Sequence, residues 1–563
     1  MTSEEPRQWA YYWAGMAAAL LISLISIRDP DLPWHLSAAR QMLSTHAFAH
    51  RDFLSWTAGG RPWLDFEWGS ELIFYGLNQL GGTAALWLTR AAALGGLTLL
   101  MLALLRRWHT PKSWDALAAP AFTAALFPLF GVRPEMFSLL FFLLQFHILE
   151  RRRLGDRRLS AAAFAALHVP LYVIWANLHA GFVAGLILCA SYGLGELTHL
   201  PDEVVPAAGA AAAAGFAGTL VNPYGAALYG VLVDHWMHMP QLQDLINEWA
   251  RPDFLLHSLS GYWPLVLFSF AGILLDLRQG SVLPPEHVAA LLVFGVLGSR
   301  STRSTVYTIL VVYPLGLAAW NRTGILRRRA FAAAAACMIA AIVWRGGAVA
   351  LRRGFYGWPK SVADPGPRRA IEFLGREKSA LSKLRLYNTY SWGGFIGYAL
   401  APDYKVFIDG RYIFIDLLAT VDAAQRNPKS WMRFIEASGV QLALTEDTLL
   451  MVRYPWDVIG RPFSVYTWPK KTWALVYWGD GAMIFVRRAT VPAQWLNRHE
   501  YKLIYPKDLH HLGLLLISGR VKLSAVDAEI LRYRREIGAP DEVAALESWR
   551  SVFAKELASP ARR

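Results

Sequence analysis

Apolar runs long enough to cross a bilayer recur through the first 347 residues, and nothing else constrains the fold of this chain as strongly. A hydrocarbon core about 30 Å thick takes roughly 17–25 such residues per helix. Eleven runs read as spans, with approximate cores at 10–27, 82–105, 116–130, 135–149, 160–177, 181–197, 207–220, 261–276, 286–299, 305–320 and 330–347. Composition agrees: 55% of the 563 residues are apolar, 17% are charged, Trp numbers 24 and the mean hydropathy is +0.28. Soluble domains carry roughly 25% charged residues, so the chain does not divide into the three or four soluble domains its length alone would suggest. The two cysteines, Cys189 and Cys337, both lie in apolar runs, which excludes a disulfide framework and a cysteine-based zinc site.

Short-loop Lys and Arg set the expected orientation. With eleven spans, RRWHTPK (106–112), ERRRLGDRR (150–158) and NRTGILRRR (321–329) share one side, the cytoplasmic one, together with the N-terminus. The run before Arg28 follows a polar MTSEEPRQW start and has no small-residue cleavage site, so it reads as a retained helix. An odd count puts long loops at 28–81 and 221–260, and everything from 348 onward, on the outer face. The expected domains are therefore a membrane part, 1–347, and an extracytoplasmic soluble α/β domain, 348–563.

The tail is where the charge resides: it holds 32 Lys and Arg against 21 Asp and Glu, giving +11 of the net +14, whereas 1–347 is nearly neutral. Such a balance suits anionic headgroups or lipid phosphates; nothing in it points to nucleic acid. Strands are expected at 384–388, 404–410, 440–446 and within 473–488, and helices at 367–376, 428–438 and through most of the chain after 494.

The first outer loop carries the densest chemistry. DPDLPWHL places Asp29 and Asp31 directly beyond the first span, followed by His35, and RPWLDFEWGSEL adds Asp65 and Glu67. Paired carboxylates at a bilayer surface can bind a cation, orient an acceptor or take a proton from it; equally, Asp29 or Asp31 can cap the helix that starts near Pro33. Further polar residues mark outer helix ends: Arg133 in GVRPE, Asn177 and His179 in WANLHAG, Glu248 in INEWARP, and Arg300 and Arg303 in SRSTRST. Ionisable groups at such depth are costly and point to function when they pair or line a watery cavity. In the tail, YNTYSWGGFIGY (387–398) and KVFIDGRY (405–412) suggest a tight turn presenting Asp409 and Arg411, either at a site or as a solvated strand end.

Together, DPDLPWHLSAARQML, HAFAHRDFLSWT, GRPWLDFEW, RPEMFSLLF, WANLHAGFVAG, VNPYGAALY, INEW and the YNTYSWGGFIGY and VFIDGR pair resemble a group of bacterial polytopic proteins related to the GT-C glycosyltransferases, over about residues 10–490. The wider class includes the oligosaccharyltransferase catalytic subunit and the protein O-mannosyltransferases. The resemblance implies many membrane helices, an acidic motif in the first outer loop and a soluble domain after the last span. YSWGGF is only loosely like the Trp-Trp-Asp-Tyr-Gly motif of the oligosaccharyltransferase and lacks its Asp, so sequon recognition is not carried over.

What the resemblance implies for function is an inverting transfer of sugar from a polyprenyl phosphate or diphosphate to an envelope glycan, lipid or protein acceptor, at the outer face of the bacterial cytoplasmic membrane. Asp29 or Asp31 would act as base, with Glu67 beside them. Arg133, Arg300, Arg303 or His179 would meet the departing phosphate, and His35, Asp65, Asn177, Glu248, Asp409 and Arg411 would help bind substrate. A divalent cation, Mg or Mn, held by Asp29, Asp31 and Glu67 is an option within the class. A lipid-linked sugar flippase and a non-catalytic assembly factor for envelope polysaccharide remain as alternatives; the lack of an internal repeat and the outer-loop position of the acids favour the enzyme.

Overall fold

A helix overlaps each of the first ten apolar runs. The computed structural model describes residues 5–24, 29–156, 158–198, 207–254, 259, 261–325, 366–447, 450–538 and 540–558, with isolated positions between 333 and 344. The eleventh run, 330–347, lies almost wholly outside the described residues. Two units separate: residues 1–50 with 63–363, and residues 51–62 with 364–563.

The first unit is helical: α1 (Glu5–Ser23), α2 (Leu32–Thr45), α3 (Trp68–Arg107), α4 (Asp115–Leu126), α5 (Glu135–Arg153), α6 (Ala161–Leu178), α7 (Phe182–Leu197), α8 (Ala207–Thr219), α9 (Ala227–Met237), α10 (Met239–Leu245), α11 (Tyr262–Arg278), α12 (Pro285–Arg300) and α13 (Thr305–Thr323). Among the described helices, α3 and α6 are long and apolar enough to cross a membrane, and α7 is a shorter apolar helix. The two long loops are not irregular. Residues 28–81 contain α2 and the first turns of α3, and 221–260 contains α9 and α10. α3 breaks at Gly81 and Gly82, where Gly82 adopts φ 59°, ψ −150°, a conformation side chains with a Cβ avoid. The break separates the first turns of α3 from the apolar stretch that follows.

Polar clamps fix the helix ends. At one end of the bundle the buried Glu150 of α5 accepts from Trp108 Nε1 (2.6 Å), Arg153 Nε (2.7 Å), Tyr192 OH (2.5 Å) and His287 Nε2 (2.8 Å). A buried carboxylate is tolerable only when satisfied this fully. At the other end of α5 lies the cluster described below.

The second unit is an α/β fold around a four-stranded sheet ordered β1 (Leu386–Asn388), β2 (Leu442–Glu446), β6 (Ala482–Arg487), β5 (Trp473–Gly479). β1 and β2 are parallel; the other pairs are antiparallel, with β5 and β6 joined by a tight turn at Asp480–Gly481. A separate two-stranded ribbon joins β3 (Met451–Val452) and β4 (Arg461–Pro462). Alternation serves both faces of the main sheet. Ala443, Leu475, Met483 and Phe485 enter one core with Trp431, Trp468 and Tyr533, while Leu442, Leu444, Ile484 and Val486 enter another with Phe373, Leu374 and Ile396. Helices cover both faces, including Arg368–Arg376, Pro428–Ala437, Leu509–Ile517 and Leu523–Glu536.

Two expectations are corrected here. The boundary near 347 kept the whole first loop with the membrane part, yet residues 51–62 belong to the second unit. Their backbone pairs with the 404–408 segment: Val406 N donates to Leu54 O (3.0 Å) and Trp56 N to Val406 O (3.1 Å), and Trp56 Nε1 donates to Leu386 O (2.8 Å). The expected strand at 404–410 is accordingly an isolated bridge between Ser55 and Val406, because this insert, not the main sheet, supplies its partner. Asp409 and Arg411 are the second correction. Neither side chain is displayed at a surface turn: Arg411 Nε and Nη2 chelate Asp409 (2.9 and 2.8 Å), Nη2 also reaches Asp52 Oδ1 (2.7 Å), and all three side chains are buried. The triad is the polar pin that holds the insert to its unit.

Candidate active site

The acids beyond α1 are placed by the start of α2. Pro33 occupies the first turn and Asp31 the N-cap position, but the Asp31 side chain makes no cap bond. Its Oδ1 instead accepts from Trp34 Nε1 (3.3 Å) and its Oδ2 lies 3.2 Å from Arg133 Nη2. Asp29 Oδ1 accepts from the Asp31 amide (3.0 Å), and Oδ2 accepts from Arg133 Nε (2.7 Å). The remaining nitrogen of Arg133, Nη1, donates to Glu248 Oε2 (2.6 Å). Each nitrogen of the guanidinium therefore meets a different carboxylate, and the acids come from segments far from Arg133 in the chain.

This arrangement separates the two aspartates. Asp29 is 1% exposed and hemmed in by Gly131, whose missing side chain leaves the space its Oδ2 occupies. The Asp31 side chain keeps 26% of its surface. Burial pushes the Asp31 carboxyl up to about 6, against the pull of Arg133 and with help from the charges of Asp29 and Glu248. Desolvation alone would weaken the Arg133 charge, but Asp29, Glu248 and Asp31 hold it well above its ordinary value. Burial likewise opposes ionisation of Glu248, and Arg133 and Arg303 outweigh it, leaving that carboxyl below its usual range.

Arg303 is held more loosely. Its amide donates to Glu248 O (2.8 Å), its guanidinium lies over the Trp249 ring at 5.4 Å, and its Nε is 3.5 Å from Glu135 Oε2. That last distance exceeds a good charged hydrogen bond. Arg303 is thus the cation of the cluster with donor capacity to offer, whereas Arg133 is committed.

Beside this cluster runs a second hydrogen-bonded network. The Gly181 amide donates to His179 Nδ1 (2.9 Å). Ser138 Oγ, which accepts from Trp175 Nε1 (2.7 Å), lies 2.7 Å from the same nitrogen and donates its hydroxyl there. Nδ1 is therefore an acceptor and the ring proton sits on Nε2, 3.5 Å from Glu67 Oε1. On the other side His35 Nδ1 is paired with Glu71 Oε1 at 2.8 Å, and its Nε2 is 3.9 Å from Glu67 Oε2. Burial pushes Glu67 up to about 8 and His179 down to about 3, and holds His35 well below its ordinary value. Burial thus favours the uncharged form of all three groups, with the Glu67 carboxyl lying between the two imidazole rings.

The other expected residues have different duties. Asn177 is a brace: Oδ1 accepts from Trp68 Nε1 (3.0 Å), and Nδ2 donates to Val173 O and Val221 O (both 2.7 Å). Asp65 is buried at the entrance to α3, its carbonyl accepting from the Trp68 amide, and its charge helps raise Glu67. Arg300 is exposed at the end of α12, where its carbonyl accepts from Gln243. Asp29, Asp31 and Glu67 do not form a cation cage. The Arg133 guanidinium fills the position the two aspartates could share with a metal, Glu67 faces two histidines, and no group of three His, Cys, Asp or Glu able to hold a metal ion occurs among the described residues.

The sequence marks Glu71 in the first loop and Glu135 beside Pro134 as polar candidates without giving them a role at the site, and it passes over Gly131 and Ser138. A usable signal existed for two of them. Glu71 is one helical turn after Glu67, and Ser138 is three residues after Glu135 at the start of α5, spacings that share a helix face.

No family model and no curated protein matches the chain. Solved structures do. The archaeal oligosaccharyltransferase AglB from Archaeoglobus fulgidus, in complex with an inhibitory peptide and a dolichol-phosphate, aligns with a TM-score of 0.55 and 13% identity over 86% of this chain and 75% of that one. The Archaeoglobus fulgidus oligosaccharyltransferase tethered with an acceptor peptide containing the NVT sequon aligns with a TM-score of 0.50 and 12% identity over 77% of this chain and 69% of that one. The chain shares the fold of these GT-C glycosyltransferases, at the distance such identities imply.

Proposed function

We propose that the protein is an inverting GT-C-type glycosyltransferase of the bacterial cytoplasmic membrane. It transfers a sugar from a polyprenyl phosphate or diphosphate to an envelope glycan, lipid or protein acceptor at the outer face. The observation that carries the reading is the division of labour between the two aspartates: burial raises both carboxyls, that of Asp31 to about 6, but Asp31 keeps an exposed edge while Asp29 is buried against Arg133. A base titrating there is ionised at neutral pH yet still takes a proton readily. The dolichol-phosphate in the AglB structure supports a lipid-phosphate donor on this fold.

In the proposed reaction Asp31 accepts the hydroxyl or amide proton of the acceptor as its heteroatom attacks the anomeric carbon. The bond from that carbon to the phosphate oxygen breaks, and the electron pair leaves with the lipid phosphate. Arg303 supplies compensating charge, and Glu67, His35 and His179 supply a polar wall. Arg133 carries a positioning role, holding Asp29, Asp31 and Glu248 together. No step is routed through a metal.

Purified protein in nanodiscs, given radiolabelled polyprenyl-phosphate sugars, should transfer label to an acceptor, and Asp31→Asn should reduce turnover by about 10²–10⁴-fold, the usual weight of general-base catalysis. Full transfer by Asp31→Asn would defeat the assignment. Movement of the lipid-linked sugar between leaflets with no transfer would establish the flippase instead.

A further inference from the structure

Arg90 lies in the apolar stretch of α3, 1% exposed, and the proposed site makes no use of it. Its Nε donates to Phe130 O (2.6 Å) and its Nη1 to Ser23 O (3.3 Å), while its guanidinium rests over the Phe127 ring at 5.0 Å. One turn earlier on the same helix, Trp87 Nε1 donates to Leu24 O (3.0 Å). The last carbonyls of a helix have no partner within it, and a cation suits the negative end of its dipole. α3 thus supplies the C-terminal end of α1 with two donors, three residues apart on one helix face.

What these carbonyls lead to gives the contacts their use. Phe130 directly precedes Gly131 and stands three residues before Arg133, and Ser23 stands six before Asp29. Gly131 leaves the room that Asp29 Oδ2 occupies, and Arg133 Nε holds that oxygen at 2.7 Å. The two segments that must meet for this contact are therefore tied by two nitrogens of one planar guanidinium, and the Asp29 carboxylate attracts the Arg90 charge. A guanidinium fixes two acceptors at a set separation, as an ammonium does not. A buried charge is weak evidence for stability, since an apolar side chain of like volume often serves a fold as well. An apolar side chain at position 90 would pack within α3 and leave both segments unbraced.

We infer that Arg90 is a positioning residue: it braces the end of α1 against the carbonyl that precedes Gly131 and so sets where Asp29 sits against Arg133. The placement rests on geometry alone, and its effect on turnover rests on the transferase reading.

The test compares the full chain with Arg90→Met and Arg90→Lys in nanodiscs. The lysine keeps a buried cation without the fork, and it serves where the methionine variant does not fold. Hydrogen–deuterium exchange at the amides of 29–36 and 127–134 should be faster in both variants, whatever the protein transfers. With a radiolabelled polyprenyl-phosphate sugar as donor, kcat should fall in both variants, by about 10²-fold in Arg90→Met, the cost of a misplaced base, with the donor KM unchanged because Arg303 is untouched. The acid limb of kcat/KM should move below its natural position at about 6, because Asp31 loses the repulsion of Asp29 and gains more of the pull of Arg133. A fall in kcat with that limb unmoved would mean a general loss of structure and would overturn the inference, as would natural kcat and limb in both variants. If the natural protein transfers nothing, the transferase reading fails by itself; exchange then decides the brace, faster exchange upholding it and unchanged exchange overturning it.

Discussion

Gly131 and Asp29 occupy what would be one side chain's space: a Cβ built on Gly131 overlaps Asp29 Oδ2 and touches the Arg133 side chain. Gly131→Ala is therefore expected to displace Asp29 from Arg133 Nε and tilt the whole carboxylate cluster. Overpacking of this kind costs about 1–3 kcal/mol, and a displaced base lowers turnover by about 10²-fold where 1 Å of misplacement matters. Turnover and thermal unfolding of the variant in detergent check both.

The proposed mechanism gives a pH profile with two limbs. The base is active when ionised, so kcat/KM should rise tenfold per pH unit up to about 6, the value for Asp31, and then level. Above about 8 Glu67 ionises and places an anion beside the departing phosphate, so activity should fall. Glu67→Gln should abolish the upper limb and keep the lower one.

Glu67 also links pH to stability. Its carboxyl titrates near 8 in the fold against an ordinary 4.5, so the folded state holds a proton that the unfolded chain has released between those values. Stability should fall as pH rises through that window. The unfolding temperature of Glu67→Gln should exceed that of the natural protein by a margin that is absent near pH 4, grows toward pH 8 and then stays constant.

The two arginines should separate cleanly. Arg133→Met strips the counter-charge from three carboxylates, and breaking a buried pair in this way costs about 3–5 kcal/mol, so loss of folded protein on a thermal ramp is expected. Arg303→Met leaves the Arg133 cluster intact. It should raise KM for the lipid-phosphate donor with little change in unfolding temperature.

In the second unit, Arg411→Met should destabilise by a similar 3–5 kcal/mol, roughly the cost of leaving buried charges without their partner, without affecting transfer at permissive temperature. Residues 364–563 expressed alone should aggregate, and joining 51–62 to their N-terminus through a flexible linker should restore a cooperative unfolding transition, measured by circular dichroism.

The helices of the first unit were legible because each run repeats the same apolar signal, and the second span was drawn from 82, where α3 breaks at Gly81 and Gly82. The gathering of Asp29, Asp31, Arg133 and Glu248 was half legible: the sequence set them all beyond outer helix ends, but which end neighbours which is decided by helix packing. Arg133 consequently read as a phosphate ligand, and its commitment to three carboxylates was invisible. Asp409 and Arg411 read as a surface turn for a related reason. Their partner Asp52 sits in a different loop, and the alternation of KVFIDG fits a strand whether its neighbour is a sheet or a short insert.

That insert sets an order of assembly. The Thr57 hydroxyl bonds to the carbonyl of Phe407, 350 residues later in the chain. At about 5–20 residues per second of synthesis, residues 51–62 wait on the order of half a minute for the core they complete. During that interval Asp52 has no arginine and Trp56 no pocket, so the nascent loop is the segment a chaperone or protease would meet first, and the second unit cannot finish folding until the chain reaches back to where it began.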